Sequence, residues 1–255
     1  MHLDAAFYPY RPVVLLHAFP LNRRMWEPQL AALRQAGFSP LAVDLPGFGG
    51  SPLQPARATL EDFARAVLET LDHLQVPCAA FVGLSMGGYV LMRLLELAPQ
   101  RVSAAVFADT RAGADSPEAR ARRADQAARV ASEGTGAIEQ TFLQSALSPA
   151  TLRGRPEVVE QVRALIAQAP PAAVVHALRA MADRPDSTPL LASVTVPALV
   201  MVGEDDALTP PEVAREMAER LPRGRLVVLP QAGHLSNLEA PDAFNEALLS
   251  FLEGR

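Results

Sequence analysis

The sequence has 255 residues, of which 49% are apolar and 20% charged, a composition that excludes a disordered chain. The length fits one domain, or one domain that carries an insertion. No apolar stretch approaches the roughly 20 residues that span a bilayer, and no secretory signal is recognisable. A single cysteine, Cys78, excludes an intrachain disulfide and a four-cysteine zinc site. We therefore expect a soluble, cytoplasmic protein without a membrane partner.

The charged residues give little support to nucleic-acid binding. All 23 basic residues are arginines, against 28 acidic residues, and the formal net charge is −5. Arginine binds phosphate through a bidentate fork, so an arginine-rich composition is compatible with nucleic-acid binding. The arginines are dispersed along a net acidic chain, however, and form no basic stripe. We expect no nucleic-acid partner.

Six short apolar runs recur along the chain without alternating polar residues, which is typical of strands buried on both faces. They are Val13–Leu16, Leu41–Val43, Ala79–Val82, Ala104–Phe107, Ala198–Val202 and Leu226–Leu229. Segments of helical period separate most of them, most clearly Thr59–Gln75, where Thr59 and Asp62 form a candidate capping box. Helices are also predicted over 25–36 and 211–221. The alternation predicts an α/β fold with a mostly parallel sheet flanked by helices.

The stretch between Asp109 and Ser193 breaks the alternation, since it contains helical segments and no convincing strand. Its length, about 85 residues, far exceeds the roughly 12 residues that a crossover connection needs. We interpret it as a helical cap inserted over the sheet, with the core at 1–110 and 190–255 and the cap at 111–189. Its scattered Gly and Pro residues are typical of a lid whose position varies.

Residues Gly83–Gly87 read G-L-S-M-G, directly after an apolar run and before a helical stretch at Tyr89–Leu97. A strand, a sharp turn and a helix in this order expose the serine hydroxyl, and the glycines prevent collisions in the turn. The helix N-terminus directs backbone N–H groups towards developing negative charge. Ser85 is therefore a candidate nucleophile, and the alternative is an ordinary glycine-rich turn.

A serine hydroxyl needs a base within hydrogen-bond reach and a carboxylate that orients this base. The last two apolar runs end in suitable groups. The fifth run is followed by Glu204, Asp205 and Asp206, and the sixth by His234. His234 lies just after a predicted strand, in a glycine-containing loop, which makes it the candidate base for Ser85.

Five motifs in one order resemble those of the α/β-hydrolase fold superfamily, over about residues 13–252. The motifs are H-A-F-P at 17–20, D-L-P-G-F-G-G-S at 44–51, G-L-S-M-G at 83–87, G-x-x-D-x-x-x-P at 203–210, and A-G-H through E-A-P at 232–241. The acid-loop spacing in that superfamily implies Asp206 as the triad acid, which leaves Glu204 and Asp205 as solvated charges. Asp109 occupies an alternative position for the acid, and we expect it to shape the cap entrance.

The resemblance also implies an oxyanion hole formed by the backbone N–H groups of Phe19 and Met86. We place the substrate contacts at four side chains of the oxyanion loop and the cap. These are His17, Phe142, Arg111 and Arg184. In a lactonase-like enzyme the two arginines would bind a substrate carboxylate, and the alternative is that both are solvated.

Two features depart from the superfamily pattern. Ala18 replaces the usual glycine after the oxyanion-loop histidine, so the turn has to accommodate a Cβ. Only 12 residues precede the first apolar run, so we expect the N-terminal β-hairpin to be shortened or absent, with a remnant at Tyr8–Arg11. The sheet edge left there would be short, charged, covered or paired with another subunit in a homo-oligomer.

The resemblance implies a serine hydrolase that cleaves small carboxylic esters through an acyl-enzyme, with no cofactor and no metal. The elbow and the cap borders are similar to those of 3-oxoadipate enol-lactonases, so a lactone is the alternative substrate. A cofactor-free perhydrolase and a non-catalytic ligand-binding member of the fold also keep a serine at this position.

Overall fold

The computed structural model describes residues 10–54 and 59–254. Its six strands coincide with the six predicted apolar runs. They are β1 (Pro12–Leu16), β2 (Ser39–Val43), β3 (Ala79–Leu84), β4 (Val102–Ala108), β5 (Ala198–Gly203) and β6 (Gly224–Leu229). Every neighbouring pair is parallel, in the order β2-β1-β3-β4-β5-β6. The predicted α/β class with a mostly parallel sheet is confirmed.

The connections between the strands are mainly helical. The helices are α1 (Glu27–Gln35), α2 (Leu60–His73), α3 (Met86–Leu97), α4 (Pro117–Glu133), α5 (Gly136–Ala146), α6 (Pro149–Gly154), α7 (Pro156–Ala167), α8 (Pro171–Ala182), α9 (Thr188–Leu191), α10 (Pro211–Arg220), α11 (Ser236–Glu239) and α12 (Pro241–Glu253). The predicted capping box is present at the start of α2. The Thr59 hydroxyl accepts from the Asp62 N–H at 3.1 Å, and the Asp62 carboxylate accepts from the Thr59 N–H at 3.1 Å.

Alternating strand side chains form two apolar cores, one on each face of the sheet. On one face Val14 and Phe81 pack with α2, α3 and α10. On the other face Val13 and Val82 pack with α1 and α12. Both faces of the sheet are therefore covered, which explains why the strands read as continuous apolar runs.

The strand order reverses at β1, because β2 lies on one side of it and β3 on the other. The chain passes from β1 to α1 on one face of the sheet, and from β3 to α3 on the opposite face. Two connections that diverge in this way leave a crevice at the carboxyl ends of the strands, where ligands bind in open α/β sheets. Phe19 follows β1 and Ser85 follows β3, so both lie at this crevice.

Between β4 and β5 the described chain forms the helices α4 to α9 and no strand. Within this segment α4 packs against α8, and α5 packs against α7. Side chains of α4 and α5 line one cavity together with Ser85, so the segment covers the carboxyl ends of the strands. The division into a core at 1–110 and 190–255 and a cap at 111–189 remains a prediction.

The predicted hairpin remnant at Tyr8–Arg11 lies partly outside the described residues; Tyr10 and Arg11 form a bend before β1. Among the described strands, β2 and β6 form the sheet edges, and β2 is mostly buried. Pairing of an edge with a second subunit remains a prediction. No helix within 10–54 and 59–254 combines the length and the apolar character needed to cross a membrane.

Candidate active site

Ser85 occupies the turn between β3 and α3, with φ 53° and ψ −112°. A residue with a side chain rarely adopts this conformation, so the surrounding contacts have to hold it. The Ser85 N–H donates to the Ala108 carbonyl at 2.9 Å, and the Thr110 hydroxyl donates to the Ser85 carbonyl at 2.9 Å. A Cβ at Gly83 would lie 2.4 Å from the Gly87 carbonyl oxygen, so the turn closes this tightly only with glycine. The turn therefore presents the serine side chain at the end of the strand.

Loops from three strand ends bring the predicted triad together. His234 Nε2 lies 2.8 Å from Ser85 Oγ, and His234 Nδ1 lies 2.8 Å from Asp206 Oδ2. The imidazole and the carboxylate are buried, whereas Ser85 is half-buried and lines a cavity. The hydrogen-bonded chain therefore ends at Ser85, its most accessible member, which lines the cavity together with His234.

The Asp206 carboxylate is held by its own loop. Its Oδ1 accepts from the N–H groups of Leu208 at 2.8 Å and Thr209 at 2.9 Å, and its Oδ2 accepts from the Thr209 hydroxyl at 2.6 Å. Sequence reasoning missed Thr209, although its place three residues after the acid was a usable signal. The two preceding acids, Glu204 and Asp205, are exposed. Of the three neighbouring carboxylates, only Asp206 contacts the imidazole.

Charge pairing governs the protonation of His234 and Asp206. Burial of the imidazole opposes its protonation, but the charge and hydrogen bond of Asp206 outweigh burial and raise the pKa of His234. Burial of Asp206 favours its neutral form, but His234 and the Thr209 donors outweigh burial and lower the pKa of that carboxyl. The carboxylate therefore stabilises the imidazolium that forms when the ring takes a proton.

Asp109 does not shape the cap entrance, and this prediction was wrong. Its side chain is fully buried beneath the triad, with a backbone φ of 45°. One carboxyl oxygen accepts from the Gly203 N–H at 2.9 Å, and the other contacts the Ser236 hydroxyl at 2.5 Å. Burial, followed by the nearby charge of Asp206, raises the pKa of Asp109 well above its ordinary value. Asp109 therefore connects the acid loop to the histidine loop from below.

The two predicted oxyanion donors lie on either side of the crevice. Met86 is the first residue of α3, so its N–H has no partner within the helix. Phe19 follows β1 and lines the same cavity as Ser85. Ala18, where a glycine was expected, is buried outside the positive-φ region, and its N–H donates to Met25 Sδ at 3.2 Å. The backbone therefore accommodates the Cβ at this position.

His17 supports the oxyanion loop, and its predicted contact with substrate was wrong. The imidazole is fully buried, and it does not line the cavity. Its Nδ1–H donates to the Ala18 carbonyl at 2.9 Å, and its Nε2 accepts from the Leu45 N–H at 3.0 Å. Burial lowers the pKa of His17 to about 4, so the ring stays neutral and keeps both bonds. Because both ring nitrogens are occupied, none is left for a ligand.

A cavity of about 220 Å³ opens onto Ser85 and His234. Its apolar side includes Phe19 and Phe142, whose rings meet edge to face at 6.5 Å. Its polar side includes Arg111 and, from one face of α4, the side chains of Ala119, Arg122, Arg123 and Gln126. The volume lies below the range of drug-sized pockets, which favours a small ligand.

The structure separates the two arginines that were predicted to contact substrate. Arg111 lines the cavity and its guanidinium donates to the Leu208 carbonyl. Arg184 is buried away from the cavity, 2.7 Å from the Asp115 carboxylate and over the ring of Tyr89 at 4.1 Å. Arg184 is therefore neither a substrate contact nor a solvated charge, and both predictions for it are wrong. The arginines of α4, which sequence reasoning missed, occupy the cavity wall instead.

No group of three or more His, Cys, Asp or Glu side chains in the described ranges has an arrangement that could hold a metal ion.

Comparison with known proteins identifies the family of this chain. The family model for the alpha/beta hydrolase fold matches residues 11–241, and the chain belongs to this family. It is 31% identical to 3-oxoadipate enol-lactonase 2 of Acinetobacter baylyi over 93% of this chain and 87% of that protein. It is 32% identical to a pimeloyl-[acyl-carrier protein] methyl ester esterase of Neisseria meningitidis, over 96% and 94%.

The comparison with solved structures also finds an esterase. A thermophilic esterase from Thermogutta terrifontis, determined with malate bound, superposes with a TM-score of 0.92 at 40% identity. The match covers 95% of this chain and 89% of that one. The family of this chain therefore includes both esterases and lactonases.

The buried position of Asp109 predicts a pH-dependent difference in stability between the native chain and Asp109→Asn. A carboxyl whose pKa is higher in the folded state than its ordinary 3.8 stabilises the fold below that value and loses this contribution as the pH rises. Asparagine mimics the protonated acid at every pH. The free energy of unfolding of the native chain minus that of Asp109→Asn should therefore decrease from pH 4 to pH 8, measured by urea denaturation.

Asp109→Ala serves as the comparison, because it leaves the Gly203 N–H and the Ser236 hydroxyl without their acceptor. We expect this variant to lose about 1–3 kcal/mol relative to Asp109→Asn. A difference between the native chain and Asp109→Asn that stays constant with pH would show that Asp109 is ionised in both states.

Proposed function

We propose that the protein is a serine hydrolase that cleaves small carboxylic esters through a covalent acyl-enzyme. The observation that carries the proposal is the continuous chain of hydrogen bonds from Asp206 through His234 to Ser85, each 2.8 Å long, which ends at the cavity. A hydroxyl bonded to a base that is itself oriented by a carboxylate is the arrangement that activates a serine nucleophile.

In the first step Ser85 Oγ attacks the ester carbonyl carbon while His234 Nε2 takes the hydroxyl proton. Asp206 accepts from Nδ1–H and stabilises the imidazolium that forms. The negative charge on the former carbonyl oxygen is stabilised by the backbone N–H groups of Phe19 and Met86. His234 then donates the proton to the departing alkoxide, which leaves an acyl group on Ser85.

In the second step water replaces the alcohol beside His234. Nε2 takes a proton from this water as the water oxygen attacks the acyl carbonyl carbon. His234 then returns the proton to Ser85 Oγ as the bond between the acyl carbon and Oγ breaks, which releases the carboxylic acid and regenerates the Ser85 hydroxyl. The raised pKa of His234 favours proton uptake in both steps and stabilises the imidazolium, which holds the proton between attack and departure of the leaving group.

A second candidate is a lactonase, since a lactone is a cyclic ester that the same steps open. The relation to the enol-lactonase of Acinetobacter baylyi supports it. The charge distribution of the cavity also supports a substrate with a carboxylate. Asp115 already binds Arg123 at 2.5 Å and Arg184 at 2.7 Å. Within the described ranges, no carboxylate lies within 4 Å of the Arg111 or Arg122 guanidinium.

Arg111 and Arg122 place two guanidinium groups in a cavity next to the nucleophile, which favours an anionic substituent on the ester. Glu118, outside the cavity lining, offsets part of the Arg122 charge, so Arg111 carries most of this preference. The esterase of Thermogutta terrifontis, at 40% identity, was determined with malate, a dicarboxylate. We therefore propose that the preferred esters or lactones carry a carboxylate away from the scissile bond.

The central prediction for catalysis concerns Ser85→Ala. Because triad members act as one unit, the variant should lower kcat for p-nitrophenyl acetate by roughly 10⁴–10⁶ while the circular dichroism spectrum stays native. Ser145→Ala is the matched control, since Ser145 lines the same cavity outside the triad, and it should retain activity. A fluorophosphonate should label the native chain at Ser85 and leave Ser85→Ala unlabelled.

Full activity in Ser85→Ala, or labelling at another residue, would contradict the proposal. A native chain that neither hydrolyses the ester nor reacts with the fluorophosphonate would instead support a non-catalytic ligand-binding protein.

The prediction for substrate class compares p-nitrophenyl butyrate with mono-p-nitrophenyl glutarate for an acyl carboxylate, and phenyl butyrate with 4-carboxyphenyl butyrate for an alcohol carboxylate. Arg111→Ala should raise KM for the acidic member of one pair by about tenfold and change the neutral member by less than about twofold. Arg122→Ala should act in the same direction by about threefold, because its guanidinium is exposed.

Arg120→Ala is the matched control, since Arg120 lies on the same helix, exposed and outside the cavity. Equal effects of Arg111→Ala on acidic and neutral esters in both pairs would contradict a carboxylate-binding role and leave a general esterase.

A further inference from the structure

Glu239 is a buried carboxylate that the proposed catalytic steps do not use. It lies at the end of α11, five residues after His234, within the A-G-H to E-A-P segment of the sequence. Its exposed fraction is 5%. A buried charge is costly unless hydrogen bonds satisfy it, so its contacts indicate what it holds in place.

The two oxygens of Glu239 bind two separate segments. Oε1 accepts from the N–H groups of Gly233 at 3.0 Å and Leu235 at 3.4 Å, the residues on either side of His234. Oε2 accepts from the Ser148 N–H at 2.8 Å, in the turn between α5 and α6. One carboxylate therefore connects the histidine loop to the helical segment above the sheet.

Further contacts tighten the same junction. The His234 N–H donates to the carbonyl of Ala146, the last residue of α5, at 2.8 Å. The Ser148 hydroxyl donates to the Gln231 carbonyl at 3.3 Å. A Cβ at Gly233 would lie 2.7 Å from the Ser148 nitrogen, so the two segments touch backbone to backbone. This part of the predicted movable lid is therefore fastened to the loop that carries the base.

The helix that ends at this junction also forms a wall of the cavity. Ile138, Thr141, Phe142 and Ser145 follow each other at helical spacing on α5, and all four line the cavity. A group of the substrate that packs on Phe142 thus contacts a helix whose C-terminal residue accepts a hydrogen bond from the backbone of His234.

We propose that Glu239 is a positioning residue that fixes the α5 wall and His234 as one unit, so that contacts of the substrate with the wall act on the orientation of the base. This inference rests on the proposed esterase function. It predicts that Glu239 contributes to kcat through His234, and that its contribution depends on an acyl chain long enough to reach Phe142.

Glu239→Gln is the appropriate variant, because glutamine keeps the size of the side chain but has one acceptor oxygen. Its NH₂ group then faces either the Ser148 N–H or the N–H groups beside His234, where a donor is already present. The connection between the two segments is thereby broken on one side. Glu246→Gln is the matched control, since Glu246 is exposed on α12.

The experiment measures kcat and KM for p-nitrophenyl butyrate and p-nitrophenyl acetate, per active site titrated with a fluorophosphonate. We expect Glu239→Gln to lower kcat for butyrate by about 10–100-fold, with a smaller loss for acetate. In a double-mutant cycle with Phe142→Ala, the effects on kcat for butyrate should depart from additivity by about threefold or more. The cycle of Glu246→Gln with Phe142→Ala should be additive.

An unchanged kcat per titrated site in Glu239→Gln would overturn the inference, because a purely structural role alters only the fraction of folded enzyme. Additive effects of Glu239→Gln and Phe142→Ala would overturn it as well, since the wall and the base would then act independently. Failure of the proposed function is recognised separately, by a native chain without hydrolysis and without fluorophosphonate labelling.

Discussion

The strained backbone of Ser85 is the constraint on which the rest of the site depends. A side-chain-bearing residue at φ 53° costs about 1–3 kcal/mol, and hydrogen bonds to Ala108 and from Thr110 keep it there. Glycines at 83 and 87 are required because a Cβ at either position would meet backbone atoms. The strain places the hydroxyl beyond the end of β3, where His234 from another strand end contacts it.

Asp206 and Asp109 are two buried carboxylates near the His234 imidazole, and their surroundings shift their pKa values in opposite directions. Asp206 accepts three hydrogen bonds from its own loop besides the contact with His234, and its pKa is lowered. Asp109 is more deeply buried, beside the charge of Asp206, and its pKa is raised. Like charges this close oppose each other's ionisation, which adds to burial in raising the pKa of Asp109. Asp109 also connects the ends of β4 and β5 with the histidine loop.

The secondary-structure elements and the grouping of Ser85, His234 and Asp206 could be predicted from sequence because they depend on local patterns. Apolar runs predict strands that are covered on both faces, and the G-L-S-M-G motif predicts the turn that exposes its serine. The roles of His17, Asp109 and Arg184 depend on partners distant in the chain, and periodicity does not contain that information. Arg184 neutralises Asp115 inside the protein, for example, although both lie in a polar, arginine-rich segment that reads as solvated. The connection of Glu239 to the end of α5 likewise depends on partners that are distant in the chain.

The most direct test of the account compares Asp206→Asn with Asp205→Asn. The proposed chemistry depends on one chain of hydrogen bonds, and Asn at position 206 favours the wrong tautomer of His234. Asp206→Asn should therefore lower kcat for p-nitrophenyl acetate by about 10⁴. Asp205, one residue earlier and exposed, should leave kcat within about twofold of the native value when it is replaced by Asn. Similar rates for the two variants, or the larger loss in Asp205→Asn, would contradict the account.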